Sequence, residues 1–197
     1  AEQKKQTDNR AKMSLVQFDD QFEINFVGVD LDDIPDLDTK SYQPRGATAL
    51  NDAIAQTIKQ TEEWLKENNS NSRVFFVIIT DGEENASVEC GGPQGLMRLT
   101  EIIRAKEKAG WTFVFMGANI DAFATATAYN IPMGNAMQYN PDNVGAVFMA
   151  ASTSTSSYRS SNDRSINNAT SVVANSTDVK TIYDDDDGTL KPKIHSN

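Results

Sequence analysis

The sequence predicts an α/β fold, a doubly wound and mostly parallel sheet of the three-layer, Rossmann-like kind, and three observations predict it. RVFFVIIT (73–80) and WTFVFMGAN (111–119) are nearly unbroken apolar runs rich in β-branched and aromatic residues. Strands covered on both faces read this way. The stretches 48–68 and 94–109 repeat their apolar residues every three or four positions, as a helix with one buried face does. Strand-like and helix-like stretches also alternate along the chain, as βαβ units require.

Element by element, residues 1–12 are polar and read as the tail of a helix. MSLVQF (13–18) reads as a short strand and DDQ as a turn. FEINFVGV (22–29) reads as a second strand, whose Phe22, Ile24 and Phe26 alternate with polar neighbours as a half-buried, near-edge strand would. DLDDIPDLD (30–38) is an acidic loop in which Pro35 blocks regular structure. From Thr48 a helix is expected, with Leu50, Ile54, Ile58, Thr61 and Leu65 inward and Asp52, Lys59, Glu63 and Lys66 opposite. After the strand at 73–80, a loop containing Cys90 leads to a helix with Leu96, Leu99 and Ile103 inward, closed by Gly110. The strand at 111–119 leads to a short helix capped by Asp121, a short strand at 136–139, and a last helix with Pro141 near its start. This gives one domain over 1–158 and a Ser/Thr/Asn-rich, then acidic, arm over 159–197. An arm of that composition cannot bury a core of its own. If ordered, it is expected to lie along neighbouring chains.

Bulk properties narrow the function. The 197 residues carry a net charge of −10, which repels phosphate backbones and anionic membranes, so neither nucleic acid nor membrane is an expected partner. One cysteine, Cys90, rules out an intramolecular disulfide framework and argues against secretion through a disulfide-forming route. No apolar run approaches the roughly 20 residues that span a bilayer. G-x-G-x-x-G after a strand, G-x-x-x-x-G-K-S/T and G-x-S-x-G are all absent, and the single histidine, His195, lies three residues from the end in polar sequence. DDDDG (184–188) does not fit a calcium loop, whose first ligand would fall on Tyr183 and whose last would fall on Ile194. The chain is therefore expected not to be an enzyme.

Two segments carry the candidate chemistry. PRGATALNDAI (44–54) places Thr48 at the mouth of a helix after a glycine loop, and ITDGEEN (79–85) places Asp81 at the tip of an apolar strand. Ligand sites in open α/β sheets lie outside the carboxyl ends of the strands. A hydroxyl and a carboxylate there suit a hard cation such as Mg2+, which takes oxygen ligands and keeps several waters.

Together VQFDDQFE, GATALNDAI, VFFVIITDGEEN and WTFVFMGANIDAFATA resemble the von Willebrand factor A-type domains of bacteria and phages, over about residues 13–158. The resemblance implies a metal-ion-dependent adhesion site. Its cation is held by a D-x-S-x-S loop, a Thr from a second loop and an Asp from a third, which here correspond to Thr48 and Asp81. Gly46, Gly82 and Glu83 are the expected partner-facing residues, and Glu83 and Glu84 are expected to point into solvent. The D-x-S-x-S loop, with the central first strand before it, has no counterpart in this sequence; NDRSINN (162–168) has the D-x-S spacing at Asp163 and Ser165 but no apolar strand before it. Leaving backbone groups buried and unpaired costs about 1–3 kcal/mol each, against a total stability of about 5–15 kcal/mol. A companion segment of the same original polypeptide is therefore expected to supply the strand. Phage capsid proteases often cut between Glu and a small residue, so an N-terminus at Ala1 is compatible with processing. The metal site is expected to be vestigial in this chain alone, or completed in trans.

The resulting expectation is a binding and assembly module, a component of a phage virion or other large bacterial assembly. The alternative is a cytoplasmic bacterial regulatory adaptor that binds partners through Mg2+.

Overall fold

The structure is a computed structural model, and it describes residues 11–34, 46–140, 142 and 144–160. The expectations for residues 1–10, Pro35, Pro141, Asp163, Ser165, DDDDG and His195, and for the arm from 161 onward, lie outside the described residues. The chain divides into two compact units. One comprises Ala1–Val74 with Gly82–Ala109, and the other Phe75–Asp81 with Gly110–Asn197.

The first unit opens with the strands β1 (Lys12–Phe18) and β2 (Phe22–Asp30), paired antiparallel. Their register runs from Phe18↔Phe22 to Lys12↔Asp30, with irregularities between Met13 and Leu15 and between Leu15 and Val16. Those bulges let nine residues of β2 face seven of β1. They also break the expected alternation: Ile24 is 43% exposed, while Val27, Gly28 and Val29 are partly buried in succession. A bulge shifts which residues face which side, and side-chain type alone does not announce it. Gly28 has φ +62°, and a Cβ there would lie 2.1 Å from the Trp64 ring, so the indole packs directly on backbone.

Helix α1 (Leu50–Glu67) buries Leu50, Ile54 and Ile58 as its spacing predicted, and Ala53 in addition, but Thr61 and Leu65 are only partly buried. Helix α2 (Gly92–Lys108) buries Gly95, Leu99 and Ile103 and leaves Leu96 partly exposed. The two helices touch, and Lys106 and Glu62 form an ion pair.

The second unit is a parallel sheet of β3 (Phe75–Thr80), β4 (Thr112–Gly117) and β5 (Ala136–Gln138), in the order β3-β4-β5. Every residue of β4 is buried. On one face Phe113 packs against Phe76 and Trp111, and Phe115 against Tyr129 beyond the end of α3 (Ala122–Ala128). On the other, Val114, Met116 and Met137 form a cluster with Ala150 of α4 (Val144–Ser160), which Phe75, Val77 and Ile79 join; Phe75 also stacks on Tyr158. This unit is thus helix, sheet, helix, a mixed α/β arrangement with a three-stranded parallel sheet. Helix α4 runs on through STSTSSYRS because Ala150, Ser154 and Tyr158, spaced four residues apart, keep one face buried, with Tyr158 stacked on Phe75.

Among the described strands of this sheet β4 is central, and β3, the strand that ends just before Asp81, lies at an edge. FFVIIT is apolar on alternate sides because both faces of the sheet are covered, and face burial says nothing about the lateral neighbour.

Candidate functional site

The carboxyl rim of the parallel sheet is built by main-chain bonds between the strand ends. Ala118 N–H donates to the Thr80 carbonyl (2.9 Å), which also accepts from the Tyr139 hydroxyl (3.3 Å), and Tyr139 N–H donates to Gly117 (3.0 Å). Beyond these, Asp81 is exposed, and its carbonyl accepts from Asn119 Nδ2 at 3.4 Å. Asn119 itself sits in the left-handed region (φ 57°), which Asn tolerates. The side chain of Asp121 caps α3 by accepting from Ala124 N–H at 2.9 Å, as expected. Asp81 is therefore the carboxylate at this rim that no strand or helix cap uses.

In the first unit, the loop from Gly82 to Gly91 is tied to the start of α1. Thr48 N–H donates to Asn85 Oδ1 (2.9 Å), while the Thr48 carbonyl accepts from the N–H groups of Asn85 and Ala86 (3.0 and 3.2 Å). Thr48 does not cap the helix; Ala49 holds that position, without a side-chain bond. Its hydroxyl instead lies against Gly82, where a Cβ would come within 2.8 Å of Oγ1. Glycine at 82 is what leaves room for that hydroxyl.

Glu84 does not point into solvent. Its carboxylate accepts from Asn51 N–H (2.7 Å), Ala86 N–H (3.1 Å), Ser87 N–H (2.8 Å) and the Ser87 hydroxyl (2.7 Å). Asp52, placed by its spacing on the polar face of α1, is buried. It accepts from the N–H groups of Val88 (2.7 Å), Glu89 (3.2 Å) and Cys90 (2.6 Å). Asn51 Nδ2 completes the clamp by donating to the Cys90 carbonyl (3.0 Å). These two carboxylates neutralise loop N–H groups and are committed to structure. The spacing Glu84-x-x-Ser87 is the one local signal in the sequence; the use of Asp52 depends on a loop more than thirty residues away.

Burial raises the Cys90 thiol above its ordinary value, and the nearby Asp52 carboxylate adds to the rise, while Arg98 opposes it more weakly. At neutral pH the group is a protonated, packed thiol and no nucleophile. Among the described residues no group of three or more His, Cys, Asp or Glu side chains is gathered to hold a metal ion. Of the expected site residues, Thr48, Gly46, Gly82 and Glu83 fall in the first unit and Asp81 in the second. Gly46, Glu83 and Asp81 are exposed, and Thr48 and Gly82 are partly buried. No described helix is long and apolar enough to cross a membrane. Comparison with protein-family models, curated proteins and solved structures gave no match.

Proposed function

We propose that this chain is a non-enzymatic protein-binding and assembly module of the von Willebrand A type, and that its partner contributes a strand. The observation that carries the reading is β3: a strand apolar on both faces, set at the edge of its sheet among the described residues. Long apolar edges are templates for pairing, and folded proteins normally blunt them with charge, proline or a bulge. FFVIIT has none of these. A companion segment of the same original polypeptide would satisfy that edge, and the setting we favour is a phage virion or another large bacterial assembly.

The resemblance further assigns Thr48 and Asp81 to a Mg2+ site that a D-x-S-x-S segment completes in trans. The fit is partial: Asp81 is an uncommitted carboxylate and the Thr48 hydroxyl takes no part in capping α1, but the other carboxylates of the loop, Asp52 and Glu84, already serve backbone N–H groups. When bound, the ion would link Asp81 to an acidic group of the partner, and Gly46, Gly82 and Glu83 of the first unit are the proposed partner-facing residues.

Sedimentation of native material tests the reading. The chain is expected in a particle at fixed stoichiometry. A monodisperse chain without any protein partner would refute it, and a small complex dissolved by EDTA would favour a cytoplasmic adaptor instead.

A further inference from the structure

We propose that Asp81–Gly82 is a site of spontaneous covalent modification, where the main-chain nitrogen of Gly82 closes onto the Asp81 carboxyl and the chain passes in part to the isoaspartyl form. The proposal concerns the covalent chain and does not rest on the cation assignment.

The chemistry is a cyclisation followed by a hydrolysis. The Gly82 nitrogen gives up its proton and attacks Asp81 Cγ; a carboxyl oxygen leaves as water, and a succinimide ring results. Water then opens the ring at either carbonyl. Opening at the former main-chain carbonyl leaves the chain running through Cβ and Cγ, with a free carboxylate on Cα. Opening at Cγ restores aspartate. One water is released and one taken up, so the mass is unchanged and no other reactant is needed.

Two requirements select this peptide bond. The attacking nitrogen must reach the carboxyl unhindered, and a following glycine brings no Cβ. Among the described aspartates only Asp81 precedes a glycine; Asp187–Gly188, the other such step in the sequence, lies outside the described residues. The carboxyl must also be free to turn. Asp52 holds three N–H groups, Asp19 accepts from Gln21 N–H, Asp121 caps α3 and Asp30 pairs with Lys12. Asp81 is exposed, and Asn119 Nδ2 donates to its carbonyl, not to its carboxylate.

The hydrogen bonds on either side place the consequence. Before Asp81, the Thr80 carbonyl is held by Ala118 N–H and the Tyr139 hydroxyl. After it, Glu84 is held by Asn51 N–H, and the N–H groups of Asn85 and Ala86 by the Thr48 carbonyl. An isoaspartyl link adds one carbon, about 1.5 Å of chain, between these anchors. Asp81, Gly82 and Glu83 must absorb it, at the point where Gly82 lies against Thr48 Oγ1. The carboxylate meanwhile moves from Cβ onto Cα and leaves its place beyond the strand.

Incubation of the 197-residue chain in EDTA at physiological temperature and pH tests this. Peptide mapping against aspartyl and isoaspartyl standards reads the product, with the free peptide ITDGEEN as the kinetic reference. Exposed loop residues open locally at little cost, so isoaspartate at 81 is expected at no less than about one-tenth of the peptide's rate. Asp81→Glu would have to close a larger ring and should form no detectable iso-linkage over the same period. Asp81→Asn should reach the isoaspartyl product faster through the same ring, with loss of ammonia. The proposal is overturned if position 81 isomerises more than about tenfold slower than the peptide. It is equally overturned if Asp81→Asn loses ammonia without yielding isoaspartate, or if another described aspartate gains the iso-linkage first.

Discussion

Asp52 offers the most direct perturbation of the clamp that shapes the loop after Asp81. Its carboxylate is nine-tenths buried and accepts from three successive N–H groups, two of them at 2.7 and 2.6 Å. Hydrogen bonds to a charged group contribute about 1.5–3 kcal/mol each. Counting the two short bonds at the lower figure, and leaving the longer Glu89 contact to water, puts Asp52→Ala at about 3 kcal/mol of lost stability. Against a total of about 5–15 kcal/mol, that is a large fraction. Asp52→Asn keeps the shape and one acceptor but turns an amide donor toward N–H donors, and should lose somewhat less. Urea unfolding measures the loss. The rate at which Cys90 reacts with a thiol reagent supplies an independent readout, because its N–H is one of the three held. A loss below about 0.5 kcal/mol, the range of ordinary surface substitutions, with Cys90 still protected, would refute the clamp.

Other expectations follow from the same geometry. Gly28→Ala should destabilise the chain by about 2 kcal/mol or more in thermal unfolding, since it combines a left-handed φ with a Cβ inside the Trp64 ring; the double variant Gly28→Ala, Trp64→Ala should recover only the steric part. Folding raises the Cys90 pKa, so the folded state holds the thiol proton more tightly than the unfolded chain. This contribution to stability is complete below the ordinary thiol pKa of about 8.5 and is lost as pH rises through the folded value. Denaturant titrations from pH 7.5 to 10 should show that decline, and Cys90→Ser should flatten it. Gly82→Ala should displace the Thr48 hydroxyl and weaken partner binding in a pull-down more than it lowers Tm, while Gly46→Ala, with no described atom within 4 Å of its added Cβ, should leave Tm unchanged.

Most elements were legible because their signals are local. The buried positions of α1 and α2 follow from helical spacing, β4 from an unbroken apolar run, and the α3 cap from Asp121. What escaped the sequence depends on partners distant along the chain. The bulges of β2 are set by pairing with β1, and the edge position of β3 by which strand lies beside it. Asp52 and Glu84 look like surface carboxylates until the loop folds onto α1; nothing in NDAI distinguishes a solvated Asp from one that holds Val88 to Cys90. The candidate site was partly legible for the same reason. Asp81 stands out by its place after an apolar strand, whereas Thr48 owes its position to Asn85 and Gly82.

Intact-mass analysis of native material, with sequencing of every polypeptide that stays with the chain under mild dissociation, tests the central claim most directly. The account predicts a bound segment with a continuous apolar run, followed by D-x-S-x-S if the cation assignment also holds. Native chain recovered by itself, with no such segment attached and with its β3 edge unprotected, would contradict it.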